Sequence, residues 1–382
     1  MFLWEDGGNE PLPPVSHRAA SLGSPADRRR IPHSIFLNPP ATSCSSMKPT
    51  LLLSTLLLSA LPAALAAPAS WRMEPLSPVW QVTGFAESLD LSAIAAVNDT
   101  RCLVGSDELF SVQNGTIDTA TRRISGGGLV PLLTVGKGKK KKEIDIEGIA
   151  VSPKDNRYYI TGSHGTGKKK GDFQPSRCSV FELSVDPATA EVRPDQIRQA
   201  SLLPWLEKNA ELNAFLRQPL QQNGFNIEGL TFSGGKLYFG VRGPNVSGTG
   251  FVIEADPDSL FSDGMPECRL HRLPLGEGRG IREIAAVEGG FLILTGNASA
   301  EASEKFPVSL SRSGDGRFEV LHWQPGKTET VSSVGTLPPF AGKAEALLVL
   351  EDQKNYVDVL VLFDGAQDGG PRSLRLHRPQ TD

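Results

Sequence analysis

Asp145-Ile146-Glu147-Gly148-Ile149-Ala150 is the stretch that decides the fold, because the chain repeats it. A close copy is Asn226-Ile227-Glu228-Gly229-Leu230-Thr231. Weaker copies are Asp90-Leu91-Ser92-Ala93-Ile94-Ala95, Gly280-Ile281-Arg282-Glu283-Ile284-Ala285 and Lys343-Ala344-Glu345-Ala346-Leu347-Leu348. Each copy leads into a turn and a second apolar run. In the second unit, 146–152 reads as a strand, Pro153-Lys154-Asp155-Asn156 as a turn and 157–161 as a strand. In the third, 227–232, Ser233-Gly234-Gly235-Lys236 and 237–241 repeat the pattern. A strand pair that returns at this scale marks an array of similar units rather than one irregular core.

Further apolar runs complete each unit. Stretches 179–185, 250–255, 306–311 and 373–377 read as third strands, and 269–275 and 318–323 as fourth strands. Four short antiparallel strands make a propeller blade. The expected fold is therefore an all-β, five-bladed β-propeller, with six blades as the alternative. The longest gap between cassettes contains Leu203, Leu206, Ala210, Leu212, Phe215 and Leu216 at roughly helical spacing, which predicts one short helical insert over 202–221. The last unit holds only about three strands. Stretch 79–85, ahead of the first cassette, is expected to join it and close the ring, leaving no sheet edge open.

Ahead of the propeller lie two other segments. Residues 1–46 are rich in Pro, Ser and Arg without periodicity, and read as a non-native or disordered extension. Residues 47–66 read as a signal peptide. Met47 and Lys48 open it, 51–61 is a short apolar core, and Ala64-Leu65-Ala66 is a small-residue cleavage site. The apolar core is short for a membrane span, and Pro62 interrupts it. An uncleaved anchor is the competing reading. Export leaves 67–382 as a single propeller domain, periplasmic or secreted, with no stable membrane span after cleavage.

The full chain carries a net charge of −4, and removal of residues 1–66 makes it −5. That balance argues against nucleic acid as the main partner. Cys102, Cys178 and Cys268 remain after cleavage, with no metal-ligand spacing. They fit small core residues or one disulfide plus a free thiol.

In a propeller blade the first strand lies nearest the axis and the second runs antiparallel beside it. First-strand starts and second-strand ends therefore share one face. The starts supply Asp90, Asp145, Glu147, Asn226, Glu228, Arg282, Glu283 and Glu345. The ends supply Asp107, His164, Arg242, Asn297 and Asp364. Asp145, His164, Asn226, Arg242, Arg282 and Asn297 are the expected ligand-binding set, in which the arginines and histidine suit a small anionic ligand. Glu147, Glu228 and Glu345 are the expected metal set, with Ca²⁺ as the cofactor that hard oxygen ligands suit. Polar channel residues that only satisfy strand ends form the plainer alternative. Lysines 137, 139–142 and 168–170 flank the second unit on the same face and could steer an anion inward, or stand as solvated loops.

Other motifs fail on chemistry. Gly162-Ser163-His164-Gly165-Thr166-Gly167-Lys168 nearly fits a P-loop, but Lys169 stands where the Mg²⁺-binding hydroxyl belongs. Gly276-Glu277-Gly278-Arg279-Gly280-Ile281 lacks the last glycine of a dinucleotide fingerprint. No Gly-x-Ser-x-Gly elbow is present. His164, His271, His322 and His377 have no zinc spacing.

With Gly162-Ser163-His164, Arg242 and Gly280-Ile281-Arg282 placed around the two Glu-Gly cassettes, the chain resembles a bacterial domain family of unknown function. That family has propeller-like repeats and occurs in exported proteins. The resemblance covers roughly residues 85–378 and implies no substrate or catalytic residue. A looser likeness is to the esterase-like phytase propellers, which implies calcium and phosphate esters. The chain departs from them in having two full Glu-Gly cassettes and Arg282 in a third. Two functions follow as expectations. One is a cell-envelope binding or scaffold module for a small anionic ligand, a divalent cation or an envelope protein. The alternative is a metal-assisted hydrolase of phosphate esters or lactones.

Overall fold

Period-two burial and short turns make strands of every cassette and of the run that follows it. The computed structural model describes residues 70–133, 144–186, 188–308, 316–326 and 329–380. All belong to the unit that begins at Leu65. The expected extension 1–46, the leader 47–66 and lysines 137 and 139–142 lie outside the described residues.

Strands β1 (Arg72–Pro75) and β2 (Gln81–Thr83) precede the first cassette. The first blade contains β3 (Leu91–Asn98), β4 (Arg101–Ser106), β5 (Ser111–Asp118) and β6 (Arg123–Pro131). The second contains β7 (Ile146–Ser152), β8 (Arg157–Gly162), β9 (Val180–Val185) and β10 (Val192–Ala200). The third is β11 (Asn226–Ser233), β12 (Lys236–Val246), β13 (Thr249–Ala255) and β14 (Cys268–Pro274). The fourth is β15 (Arg279–Val287), β16 (Gly290–Asn297), β17 (Glu319–Trp323) and β18 (Val331–Thr336). The fifth is β19 (Lys343–Gln353), β20 (Tyr356–Asp364) and β21 (Arg372–His377), completed by β1. The protein is a five-bladed β-propeller. Its inner strands β3, β7, β11, β15 and β19 each touch the next, and β19 returns to β3.

The Glu-Gly pairs of the cassettes have a packing reason. A Cβ on Gly148 would lie 2.7 Å from the Leu230 side chain, and one on Gly229 would lie 2.7 Å from the Ile284 backbone nitrogen. Each glycine therefore sits where the inner strand of the next blade crosses closely. The apolar core fills the spaces between neighbouring blades. Tyr159 and Val180 of the second blade, for example, pack with Phe239 and Phe251 of the third.

Three expectations about elements are corrected. Ring closure by an N-terminal strand holds, but β1 supplies it, pairing antiparallel with β21 from Arg72↔His377 to Pro75↔Leu374. Stretch 79–85 instead forms β2, which adds parallel to β6 at the outer edge of the first blade. Its Trp80, Val82 and Phe85 bury against Ile117 and Ile124 of that blade, whereas Met73 packs into the fifth-blade core. In the fourth blade, 318–323 is the third strand, not the fourth. The fourth strand, Val331–Thr336, is largely polar and has one buried side chain, Val334, so its apolar signal is weak. The described part of 306–311 is not a strand. The insert over 202–221 buries Leu202, Leu206, Leu212 and Leu216 as its pattern implied. It is not one helix but a turn of α-helix at Leu203–Leu206 and 3₁₀ turns at Asn213–Phe215 and Leu220–Gln222. Pro219, with no backbone N–H to donate, stands between the last two turns.

Cys102, Cys178 and Cys268 are free thiols. Burial pushes the Cys102 thiol up to about 12, and it serves as a small core residue.

Candidate functional site: the axial ring

Each inner strand carries a β-bulge at the same cassette position. Pairing with the second strand skips Ser92 in the first blade, Glu147 in the second, Glu228 in the third, Arg282 in the fourth and Glu345 in the fifth. A bulge adds one residue to a strand and re-aims its side chain. One polar residue per blade is thus extruded from the ladder at an equivalent place, and the five form a ring around the axis. The residue that follows returns to the ladder: Ala93, Gly148, Gly229, Glu283 and Ala346.

Much of the ring is paired internally. Ser92 Oγ donates to the Ile146 carbonyl at 2.7 Å and ties the first blade to the second. Glu228 accepts from Arg242 Nη1 at 2.5 Å and lies 2.9 Å from Arg282 Nη1. Arg282 Nη2 pairs with Glu345. Arg282 therefore bridges two carboxylates from the blades on either side of it. Burial, and then the neighbouring Arg242 charge, bring its guanidinium down to about 10.

Of the residues expected to bind an anion, several are occupied by the protein itself. Arg242 directs all three of its nitrogens at protein acceptors: Nε at the Asn297 carbonyl at 3.1 Å, Nη2 at the Ser299 carbonyl at 2.9 Å, and Nη1 at Glu228. Asn297 thus joins the site through its carbonyl. Asp145 makes a buried ion pair with Arg177 at 2.6 Å. His164 stands away from the ring. Its Nδ1 lies 3.0 Å from the Gly162 carbonyl and its Nε2 accepts the Leu202 N–H at 3.4 Å. Burial lowers its pKa to about 4, so the ring is neutral and clamps the insert to the second blade. Asn226, at the start of β11, is 5% exposed, and its Oδ1 has no partner among the described residues.

The carboxylates expected to hold Ca²⁺ occupy three of the five ring positions. Arg282 lies between Glu228 and Glu345, so these two converge on a guanidinium rather than on a point shared with Glu147. Among the described residues no group of three or more His, Cys, Asp or Glu side chains is placed to hold a metal ion.

Glu147 differs from the rest of the ring. It is 5% exposed and has no hydrogen-bond or ion-pair partner among the described residues. Burial first, then the charges of Glu228 and Asp145, push its carboxyl well above the usual carboxylate range. Beside it, Asp107 from the end of β4 pairs with Lys168 Nζ at 3.3 Å. Burial raises the Asp107 carboxyl to about 6 even with that ammonium present. Burial opposes the charge on Lys168, but Glu147, Asp145 and Asp107 together hold its ammonium above the ordinary value. Asp90 is raised by burial and by Asp364, which itself pairs with Lys343 at 3.3 Å.

Glu283, expected at the mouth, sits instead between the third and fourth blades. Its Oε1 accepts the backbone N–H groups of Leu230 and Ile284 at 3.1 and 2.8 Å. Burial holds this carboxyl well above its usual range. The reason is register: the bulge turns Arg282 inward and returns Glu283 to the sheet.

Sequence reasoning missed Ser92 as a ring member and Arg177 as the partner of Asp145. Ser92 had the cassette alignment as a signal. Arg177 lies in the loop between β8 and β9, where no repeat marks it.

Fold and site together define a five-bladed propeller with a buried, largely self-paired charged ring on its axis. The chain belongs to the family described as protein of unknown function (DUF3616), which matches residues 90–183 and 176–374. This is the kind of uncharacterised propeller-like family that the cassettes resemble. No curated protein matches the chain. Among solved structures, it is similar to the GH43 β-1,3-galactosidase BT3683 (11% identity, TM-score 0.43, 81% of this chain and 96% of that one). It is also similar to a DUF4623 family protein from Bacteroides eggerthii (9%, 0.39, 75% and 58%). A third is a putative 6-phosphogluconolactonase from Bacteroides uniformis (11%, 0.38, 74% and 82%).

Proposed function

We propose that the protein is an exported binding module of the cell envelope that takes a small cation at the mouth of its channel. One observation carries this reading: Glu147 is a buried carboxyl without a partner among the described residues, in a setting made more acidic by Glu228, Asp145 and Asp107. An unpaired buried carboxyl is unfavourable unless something compensates it, and an incoming positive charge does so. The anionic ligand expected from Arg242, Arg282 and His164 has less support, because every Arg242 nitrogen, both terminal nitrogens of Arg282 and both ring nitrogens of His164 already engage protein partners, which leaves only Arg282 Nε without one among the described residues. Export and an envelope location are supported by the leader pattern of 47–66.

Binding to the folded state raises the melting temperature. Thermal melts with Ca²⁺, Mg²⁺ and small organic ammonium ions therefore test the reading. At least one cation is expected to raise Tm, and Glu147→Gln to remove that rise. Melts unmoved by every cation would sink the proposal.

A hydrolase reading has an observation of its own. Glu147 and Asp107 are interacting carboxyls with raised pKa, as a proton donor and acceptor need. Turnover of phosphate esters or lactones that Glu147→Gln abolishes would favour it over simple binding.

A further inference from the structure

We propose that the cation this site selects is a primary alkylammonium, and that Lys168 is the built-in occupant which such a ligand must displace. The inference rests on the cation reading above and names the chemistry of the ligand.

The protein already places an alkylammonium at the site. Lys168 reaches in from the loop between β8 and β9, and its Nζ sits 3.3 Å from Asp107 Oδ2, within the field of Glu147 and Asp145. The loop beneath it is fixed. The Gly167 N–H donates to the Asp172 carbonyl, Thr166 bridges to Phe173, and Gln221 Nε2 donates to the Lys168 carbonyl. The side chain itself can leave: it is 55% exposed and its one ion pair among the described residues is with Asp107, so rotation of its stem frees the site at the cost of that pair and of the neighbouring carboxylates' pull.

What remains unmet at the starts of the second and third inner strands is acceptor capacity. The Glu147 carboxyl and Asn226 Oδ1 are both buried, both lack a partner among the described residues, and both stand at starts of adjacent inner strands. An ammonium offers three donors and no acceptor, and a narrow unbranched stem suits acceptors that are themselves buried. A quaternary ammonium offers no donors. A metal ion needs several oxygens around one point, and the described residues provide no such group.

A resident competitor lowers apparent affinity by the fraction of time it holds the site. Removing it should tighten ligand binding without any new contact. The test is calorimetric titration of the full chain with 1,5-diaminopentane, alongside tetramethylammonium and Ca²⁺, in wild type, Lys168→Met, Glu147→Gln and the double variant. The diamine should bind wild type weakly and Lys168→Met roughly tenfold or more tightly. Glu147→Gln should abolish binding in both backgrounds while melting as a folded protein.

If Lys168→Met binds the diamine no more tightly, the competitor role fails, although binding lost in Glu147→Gln would keep the cation reading. If tetramethylammonium or Ca²⁺ binds as well as the diamine, the primary-ammonium class fails and the cation reading stands. If no cation binds either protein, both fail.

Discussion

Replacing Asp107 with Asn gives the sharpest test of how the ring is held. Asp107 lies at the end of β4 with its side chain 15% exposed, and Lys168 at 3.3 Å is its ion-pair partner. Burial outweighs that partner and raises the carboxyl from 3.8 to about 6. The unfolded chain keeps the ordinary value, so between these values the folded protein binds more protons than the unfolded one. Stability must then fall as pH rises through this window. The penalty for ionising Asp107 is absent below about pH 4 and complete above about pH 6, where it reaches about 3 kcal/mol. Asn keeps the shape and an acceptor for Lys168 but cannot ionise. Asp107→Asn should therefore be more stable than wild type by up to about 3 kcal/mol at pH 7, with the difference closing at pH 4. Urea denaturation of both proteins at pH 4, 5, 6 and 7 measures this. Equal stabilities at pH 7, or a difference that persists unchanged to pH 4, would refute the claim that Asp107 is ionised against its surroundings.

Arg282→Met should destabilise the fold by about 3–5 kcal/mol, because it leaves Glu345 without its ion-pair partner and the buried Glu228 with Arg242 alone. Adding Glu345→Gln, which removes the carboxylate left unpaired, should recover part of that loss in a double-mutant cycle of urea midpoints. Glu283→Gln should gain stability relative to wild type as pH rises, because burial holds the carboxyl above its usual range while the amide oxygen still accepts from Leu230 and Ile284. Glu283→Ala should cost about 1–3 kcal/mol by orphaning those N–H groups. Cation binding should strengthen as pH rises and release a proton, because Glu147 is held toward its neutral form and must ionise to pair with the ligand. Titrations in buffers of different ionisation enthalpy would detect that proton, and an affinity independent of pH would argue against Glu147 as the anchor.

Much of the architecture was legible in the chain, because a blade is a local object. Each cassette, turn and second strand lies within about twenty residues, and period-two patterning marks both strands. Where the pattern was weak the reading slipped. The fourth strand of the fourth blade has one buried side chain, and β1 is only four residues long. The ring was half legible. Aligning the cassettes put Glu147, Glu228, Arg282 and Glu345 in register, although nothing in one strand announces a bulge. Strict alternation would place neighbours such as Arg282 and Glu283 on opposite faces without saying which one faces the axis.

The sequence by itself favoured five blades over six and determined the position of each inner strand and the kind of polar residue each brings to the axis, because repeats encode equivalence. Only the tertiary structure decided what those residues do to one another. Pairing across blades is a matter of distances between segments more than fifty residues apart, as with Arg282 and Glu345 or Arg242 and Ser299. That pairing neutralises the arginines, turns His164 into a clamp and leaves Glu147 as the ring carboxyl without a partner among the described residues. A side chain's availability depends on which neighbours reach it first, and that is settled when the blades close into a ring.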